Sequence, residues 1–265
     1  MTSGLNLQAD LDLMLDAATV AGDLAMGYFR SEIRSWTKQG NSPVSEADVS
    51  VDNYLRQRLL EARPQYGWLS EETVDTLQRK EHQNVFIIDP IDGTRGFLEG
   101  NPRWCISMAV VRDGRPVVAV LHCPALGETY CAVSNGGTSL NGKPLHNPVS
   151  DEILRITASR KLNAEMQEIY PGRFDILPYV PSLAYRMAMV ASGVIDGAFA
   201  RSGAHDWDMA AADLLIAETG GSVTSISGEQ LVYNRTAIRA PALVAAGPGR
   251  SQKLLALAKS GGFLQ

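Results

Sequence analysis

The segment Asp89–Thr94, with the sequence DPIDGT, has the residue types and spacing that most clearly predict chemistry. It follows the apolar run 85–88 directly, so Asp89 is expected at the end of a buried strand. The Asp92-Gly93 step is typical of a tight turn, which would return the second carboxylate toward the first. Two carboxylates and a main-chain carbonyl form an all-oxygen set that suits Mg²⁺ rather than a soft metal. A strand-terminating turn without a metal is the alternative interpretation.

Two further acidic stretches lie far from this segment along the chain. Glu71 and Glu72 follow the apolar pair 68–69, and Asp206 and Asp208 open an alanine-rich stretch, HDWDMAAA. Surface glutamate pairs are usually solvated charge, and Asp206 is interpreted first as a helix N-cap. For Asp208, beside a tryptophan, a metal-ligand role competes with a favourable interaction with the helix dipole.

Together these motifs resemble the inositol monophosphatase family of Mg²⁺-dependent, lithium-sensitive phosphatases. The family pattern combines an acidic pair of the GEE or SEE type, D-P-[IL]-D-G-[TS], and W-D-x-A at a helix start. The same order is found here in Ser70–Glu72, Asp89–Thr94 and Trp207–Ala210. The stretch Ser42–Asp48 also resembles the family's loop that ends in an aspartate before the second helix. The resemblance covers nearly the whole chain.

The resemblance implies a role for each matching residue. Two Mg²⁺ ions and a weaker third site would be held by oxygen ligands: Glu71, Asp89, the Ile91 carbonyl, Asp92 and Asp208, with Asp48 near the third site. The catalytic residues would be Glu71, Thr94 and Asp89, the first two orienting and activating water. The substrate would be contacted by Gly93, Thr94, Arg186 and Asp208. A covalent phospho-enzyme is not expected, although residue type alone leaves Asp89 open as a nucleophile.

Metal ions are expected because a phosphate monoester carries about two negative charges at pH 7 and a cluster of acids alone would repel it. Paired Mg²⁺ ions reverse the local field, lower the pKa of a bound water and stabilise the leaving oxygen.

Three arginines favour the 3′(2′),5′-bisphosphate nucleotidase branch of this family. Arg95 begins a segment resembling that branch's K-E-F, and Arg186 stands where the branch has the lysine of S-S-L-K. Arg201 lies where inositol enzymes favour an acid. Each arginine is also compatible with a solvated surface charge, and Pro181–Ala184 lacks the usual Gly-Ser pair.

The resemblance therefore implies Mg²⁺-dependent hydrolysis of the 3′-phosphate of adenosine 3′,5′-bisphosphate. Inositol monophosphate and fructose 1,6-bisphosphate are the alternative substrates. A non-catalytic subunit that binds metal or a phosphorylated ligand is the alternative of another class.

The elements that must position these residues follow from periodicity. Apolar residues at helical spacing predict one long amphipathic helix over the first thirty residues. A loop over 38–48 and a second helix should follow, with Asp48 or Ser50 as its cap. β-rich segments at 106–111, 116–121 and 128–133, the first two joined by the hairpin signal RDGR, predict an antiparallel set.

The second half alternates predicted strands and helices, so the fold class is α+β followed by α/β. The resemblance implies a layered αβαβα sandwich of the sugar-phosphatase type, with an antiparallel N-terminal sheet and a mixed C-terminal sheet. Residues 1–265 are treated as one catalytic unit. Its sub-halves are about 1–150, with the main metal-binding motifs, and 151–265, with the substrate side and the last metal ligand.

The composition and net charge of the chain indicate which classes of partner and which cellular compartment to expect. The chain of 265 residues has a net charge of −5, which lacks the basic field that polymeric nucleic acids require. Its three cysteines form no CxxC pair and indicate a reducing compartment. No apolar run is long enough for a membrane span, and the first residues do not resemble a signal peptide. A cytoplasmic protein acting on a small phosphorylated substrate is expected, and the resemblance also implies a homodimer.

Overall fold

The structure is a computed structural model that describes residues 6–38 and 43–264. Within these residues seven α-helices form: α1 (Leu7–Tyr28), α2 (Glu46–Ala62), α3 (Thr94–Leu98), α4 (Arg160–Ile169), α5 (Leu183–Ala191), α6 (Ala210–Ala217) and α7 (Ser251–Gly261). Two short strands, β1 (Ser35–Thr37) and β2 (Pro43–Ser45), pair in antiparallel fashion before α2. The long helix predicted over the first thirty residues is confirmed as α1, whose buried side includes Leu11, Met14 and Ala18.

The predicted antiparallel set is confirmed within a seven-stranded sheet, here called the large sheet. Its strands in spatial order are β3 (Gly67–Ser70), β4 (Asn84–Asp92), β5 (Cys105–Arg112), β6 (Arg115–Cys123), β7 (Glu128–Val133), β8 (Gly137–Leu140) and β9 (Lys143–Pro144). Neighbouring strands are antiparallel except β3 and β4, which are parallel. The predicted hairpin joins β5 to β6 through Asp113 and Gly114. Their positive φ angles of 50° and 76° are typical of the two-residue turns that favour these residue types.

A second, five-stranded sheet, here called the small sheet, lies in the C-terminal half. Its strands in chain order are β10 (Arg155–Thr157), β11 (Asp175–Ile176), β12 (Gly197–Ala200), β13 (Ser222–Ser225) and β14 (Leu243–Ala246). β10 is parallel to both β11 and β12, whereas β14 is antiparallel to β12 and β13. The predicted mixed C-terminal sheet is therefore confirmed.

The two sheets and three pairs of helices form alternating layers. In β4, Phe86 and Ile88 pack in one apolar cluster with α1 and α2, while Val85 and Ile87 pack in another with α5 and α6. Because both faces of the strand are buried, its sequence is a continuous apolar run. α4 and α7 cover the outer face of the small sheet. This order of layers confirms the predicted αβαβα sandwich.

Helix α2 begins earlier than predicted, so the cap at Asp48 or Ser50 is wrong. The N-cap residue is Ser45, and Asp48 lies three residues later, where its carboxylate accepts hydrogen bonds from the Ser45 amide at 2.8 Å and the Ser45 hydroxyl at 2.6 Å. A serine N-cap with an acid at the third helical position is a known helix start. The predicted loop at 38–48 is likewise wrong for 43–48, and its residues 39–42 lie outside the described part. The division near residue 150 stays a prediction.

Among the described residues, none of the helices combines the length and the apolar character needed to cross a membrane.

Candidate active site

The end of β4 brings the two aspartates of the DPIDGT segment together. Asp89 pairs with Ser107 of β5, but Asp92 pairs with Cys105, so β4 has one residue more than its partner over this stretch. Such a bulge bends the strand and changes the direction of its side chains. The Ile91 amide also donates to Asp89 Oδ1 at 3.1 Å, which fixes that carboxylate. The segment is thus both a strand-terminating turn and a carboxylate pair.

Asp208 reaches the same place from the other half of the chain. It lies in a short 3₁₀ turn, residues 206–208, whose Trp207 carbonyl accepts a hydrogen bond from Ser107 at 3.1 Å. The His205 amide donates to Asp208 Oδ2 at 2.7 Å. One carboxylate oxygen from each of Asp89, Asp92 and Asp208 lies within 4.8 Å of the others. The structure therefore brings three of the predicted metal ligands together.

The electrostatics of this cluster favour a cation. Burial, followed by repulsion from neighbouring carboxylates, raises the pKa of both Asp89 and Asp208 well above the usual range. Burial also raises the pKa of Asp92, although hydrogen bonds from the Ser182 hydroxyl at 2.5 Å and the Ala184 amide at 2.6 Å oppose the rise. Three repelling carboxylates form an oxygen-only donor set, so these residues fit Mg²⁺.

Glu71 lies just beyond β3. Because β3 and β4 are parallel, their carboxyl ends meet at one edge of the large sheet, and the Glu71 amide donates to the Ile88 carbonyl at 3.3 Å. Burial raises the pKa of Glu71 to about 7, despite the opposing charge of Lys38. Lys38 Nζ lies 2.5 Å from a carboxylate oxygen of Glu72 and 3.8 Å from one of Glu71. The glutamate pair is therefore not simply solvated charge.

Thr94 links the DPIDGT segment to α2. Its hydroxyl lies 2.9 Å from Asp48 Oδ1 and 3.0 Å from the Ile91 carbonyl oxygen, and it donates to both. Gly93 precedes it with a φ of +94°, a conformation that favours glycine. Asp48 is buried and does not line the cavity described next, whereas Gly93 and Thr94 do.

An open cavity of about 360 Å³ contains the acidic cluster. It is lined by Lys38, Pro43, Glu71, Asp89, Asp92, Gly93, Thr94, Arg95, His205, Trp207, Asp208 and Arg239. Sequence reasoning did not assign Lys38, His205 or Arg239 to this site. The adjacent W-D motif is a signal for His205, but no motif indicates Lys38 or Arg239.

Two of the predicted specificity arginines have partners within the fold, and one of them is buried. Arg186 of α5 is buried, its Nε donates to the Ser182 carbonyl at 3.3 Å, and it does not line the cavity. Its Nη1 has no hydrogen-bond partner among the described residues. Arg201 forms an ion pair with Glu165 and donates to the Phe263 carbonyl. The alternative of solvated surface charge is wrong for Arg186, and its contact with substrate stays a prediction.

Known proteins resemble this chain over most of its length. The sequence model of the inositol monophosphatase family matches residues 6–260. The 3′(2′),5′-bisphosphate nucleotidase CysQ of Aggregatibacter actinomycetemcomitans is 29% identical, covering 84% of this chain and 86% of that protein. The inositol-1-monophosphatase of Rhizobium meliloti is 35% identical, covering 82% and 86%. Among solved structures, extragenic suppressor protein suhB from Bartonella henselae has a TM-score of 0.85 at 25% identity, covering 96% of this chain and 99% of that one.

Proposed function

Because the chain belongs to the inositol monophosphatase family and is a phosphoric monoester hydrolase, we propose that it uses Mg²⁺ and water to hydrolyse the 3′-phosphate of adenosine 3′,5′-bisphosphate. The observation that carries the phosphatase chemistry is the approach of Asp89, Asp92 and Asp208 to within 4.8 Å in one cavity. Glu71, with its pKa raised to about 7, lines the same cavity. Carboxylates with this spacing suit a metal-assisted hydrolysis.

The metal ligands of this proposal come from three parts of the chain. One Mg²⁺ would be held by Glu71, Asp89 and the Ile91 carbonyl, and a second by Asp89, Asp92 and Asp208. When bound, Mg²⁺ lowers the pKa of water and offsets the negative charge of the phosphate. Residues of the protein would position the attacking water and bind the phosphate.

Glu71 and Thr94 would position the attacking water. In the metal-free protein burial raises the pKa of Glu71 to about 7. Bound Mg²⁺ would favour its carboxylate form, which is the form that accepts a proton from water. Thr94 donates its single hydroxyl hydrogen to Asp48 and the Ile91 carbonyl, so its oxygen remains free to accept a hydrogen bond from water. The same contact would hold Asp48 near the weaker third metal site. The amides of Gly93 and Thr94 would donate to the phosphate oxygens.

The names of the relatives bear on which phosphate ester is the substrate. Two CysQ relatives, from Aggregatibacter actinomycetemcomitans and Haemophilus influenzae, are named as bisphosphate nucleotidases, which favours the adenosine ester. The higher identity to the inositol-1-monophosphatase of Rhizobium meliloti favours inositol 1-phosphate as a second candidate. The buried Arg186 does not line the cavity, and its positive charge would favour the ionised forms of Asp92 and Asp208.

Phosphate release with Mg²⁺ tests both candidates. We expect a higher kcat/KM for adenosine 3′,5′-bisphosphate than for inositol 1-phosphate, and loss of turnover on either ester in Asp89→Asn with an unchanged circular dichroism spectrum. Wild-type-like turnover in Asp89→Asn would remove the mechanism, and a preference for the inositol ester would remove only the substrate. Binding of the ester measured by calorimetry with no hydrolysis would instead indicate a non-catalytic subunit.

A further inference from the structure

One wall of the cavity has no part in the proposed attack of water. It is formed by His205, Trp207 and Arg239, which come from two segments of the chain. Backbone hydrogen bonds of 2.7 to 3.0 Å join residues 203–206 to residues 238–240. In this antiparallel pairing His205 lies directly opposite Arg239, so their side chains project to the same side. The wall is therefore held by the backbone and not by side chains alone.

The side chains of this wall contact one another as well. The rings of His205 and Trp207 stack with centroids 4.7 Å apart and planes 12° apart. Arg239 Nε donates to His205 Nε2 at 3.2 Å. Because Nε2 accepts this hydrogen bond, the imidazole is neutral and carries its hydrogen on Nδ1, which lies 3.9 Å from Asp208 Oδ2. The neutral His205 ring thus orients the Arg239 guanidinium, which keeps its positive charge.

Arg239 supplies the positive charge of this wall. Across residues 6–38 and 43–264 no carboxylate lies within ion-pair distance of its guanidinium, whereas Lys38 in the same cavity is paired with Glu72. Only one of the guanidinium's five N–H groups donates to His205. Two Mg²⁺ ions would carry as much positive charge as the four carboxylates that line the cavity carry negative charge. The charge of Arg239 is then available to an anionic group of the substrate. Arg239 contacts Nε2 of the His205 ring, whereas Asp208 lies on its Nδ1 side, so that group would lie away from the phosphate that the metal ligands hold.

We propose that Arg239, oriented by His205 and Trp207, binds a second phosphate on the leaving group of the substrate. The proposal rests on the proposed function, because it assigns the specificity of the same cavity. A guanidinium presents a planar fork of donors that matches phosphate oxygens, which a lysine does not. The substrate class that this wall fits is therefore a phosphate monoester whose leaving group is itself a phosphate ester.

A pair of esters that differ only in the second phosphate tests the proposal. Adenosine 3′,5′-bisphosphate and adenosine 3′-phosphate present the same scissile bond, so only the first depends on Arg239. We expect Arg239→Leu to lower kcat/KM about 10- to 100-fold for the bisphosphate, the range for a lost charge-assisted hydrogen bond, and less than about 3-fold for the monophosphate. Arg239→Lys should fall between Arg239→Leu and the wild type. Arg235→Leu removes a nearby exposed arginine that does not line the cavity and should affect both esters equally and weakly.

Binding of the product adenosine 5′-phosphate gives a readout that does not depend on turnover. Calorimetry with Mg²⁺ present should show a Kd about 10-fold or more higher for Arg239→Leu than for the wild type. Equal loss of kcat/KM on both esters, or an unchanged product Kd, would overturn the proposal while leaving the proposed function in place. Failure of the wild type to hydrolyse either ester would overturn both. Should Arg239→Leu not fold, Arg239→Lys and Arg239→Gln carry the same comparison.

Discussion

Replacing Glu71 with glutamine should stabilise the metal-free protein at alkaline pH although it removes the proposed base. Burial raises the pKa of Glu71 from its ordinary 4.5 to about 7, against the opposing charge of Lys38 and with the help of nearby carboxylates such as Glu72. Ionisation of this carboxyl group therefore costs more free energy in the folded state than in the unfolded state. Glutamine has nearly the same shape and no charge, so it removes this cost.

The sign and size of the effect follow from linkage. Because the folded pKa is the higher one, the protonated group costs no stability below pH 4.5, and the cost grows until the pH exceeds about 7. At about 1.4 kcal/mol per pKa unit, the full difference corresponds to about 3 kcal/mol. The side chain is 20% exposed and shares its charge with a cluster, so solvent screening reduces our expectation to about 2 kcal/mol.

Urea unfolding in a chelator measures this directly. We expect the free energy of unfolding of Glu71→Gln to exceed that of the wild type by about 2 kcal/mol near pH 8.5, and by little near pH 4.5. Glu168→Gln, at an exposed position of α4, should show no such change. Added Mg²⁺ should stabilise the wild type more than Glu71→Gln, because the wild type keeps the complete ligand set. The same pH dependence in all three proteins would refute the raised pKa of Glu71 in the metal-free protein.

Three further substitutions test the site and the packing around it. Asp208→Asn should lower kcat/KM about 100-fold or more with an unchanged circular dichroism spectrum, since it removes one of three clustered carboxylates; near-normal turnover would contradict its role. Ser182→Ala should raise the Mg²⁺ concentration for half-maximal activity about 10-fold, because Ser182 orients Asp92 at 2.5 Å, and an unchanged requirement would count against this. Gly221→Ala should lower the free energy of unfolding by about 2 kcal/mol at unchanged activity per folded molecule, because its Cβ would lie 2.4 Å from the Ala246 carbonyl oxygen. An unchanged urea midpoint would disprove that clash.

The acidic residues of the site could be predicted because they follow strong local signals. A continuous apolar run that ends in Asp89 specifies a buried strand, and the Asp-Gly step specifies where it turns. The bulge between Asp89 and Asp92 could not be predicted, since it depends on the register with β5. The position of Asp48 also differs from the prediction. Ser45 is the N-cap of α2, and Asp48 is the third residue of the helix rather than its cap.

The arginines considered for substrate specificity show the opposite case. Arg186 and Arg201 stand near recognisable motifs, yet one is buried in α5 and the other pairs with Glu165. Arg239 has no motif around it and reaches the cavity only because residues 238–240 pair with residues 203–206. Pairing between distant short segments leaves almost no local trace in a sequence. The charged residues proposed to set specificity are therefore the least predictable part of this site.

The cost of the acidic cluster explains why its ligands come from rigid elements. Asp89, Asp92 and Asp208 repel one another, so a flexible site would relieve the repulsion by moving them apart. The bulge of β4, the hydrogen bonds of Ser182 and Ala184 to Asp92, and the His205 amide on Asp208 prevent that movement. The free energy spent in holding the carboxylates together is released when a cation neutralises them, so it adds to the affinity for Mg²⁺. Stability of the metal-free fold and affinity for the metal should therefore change in opposite directions when any of these carboxylates is neutralised.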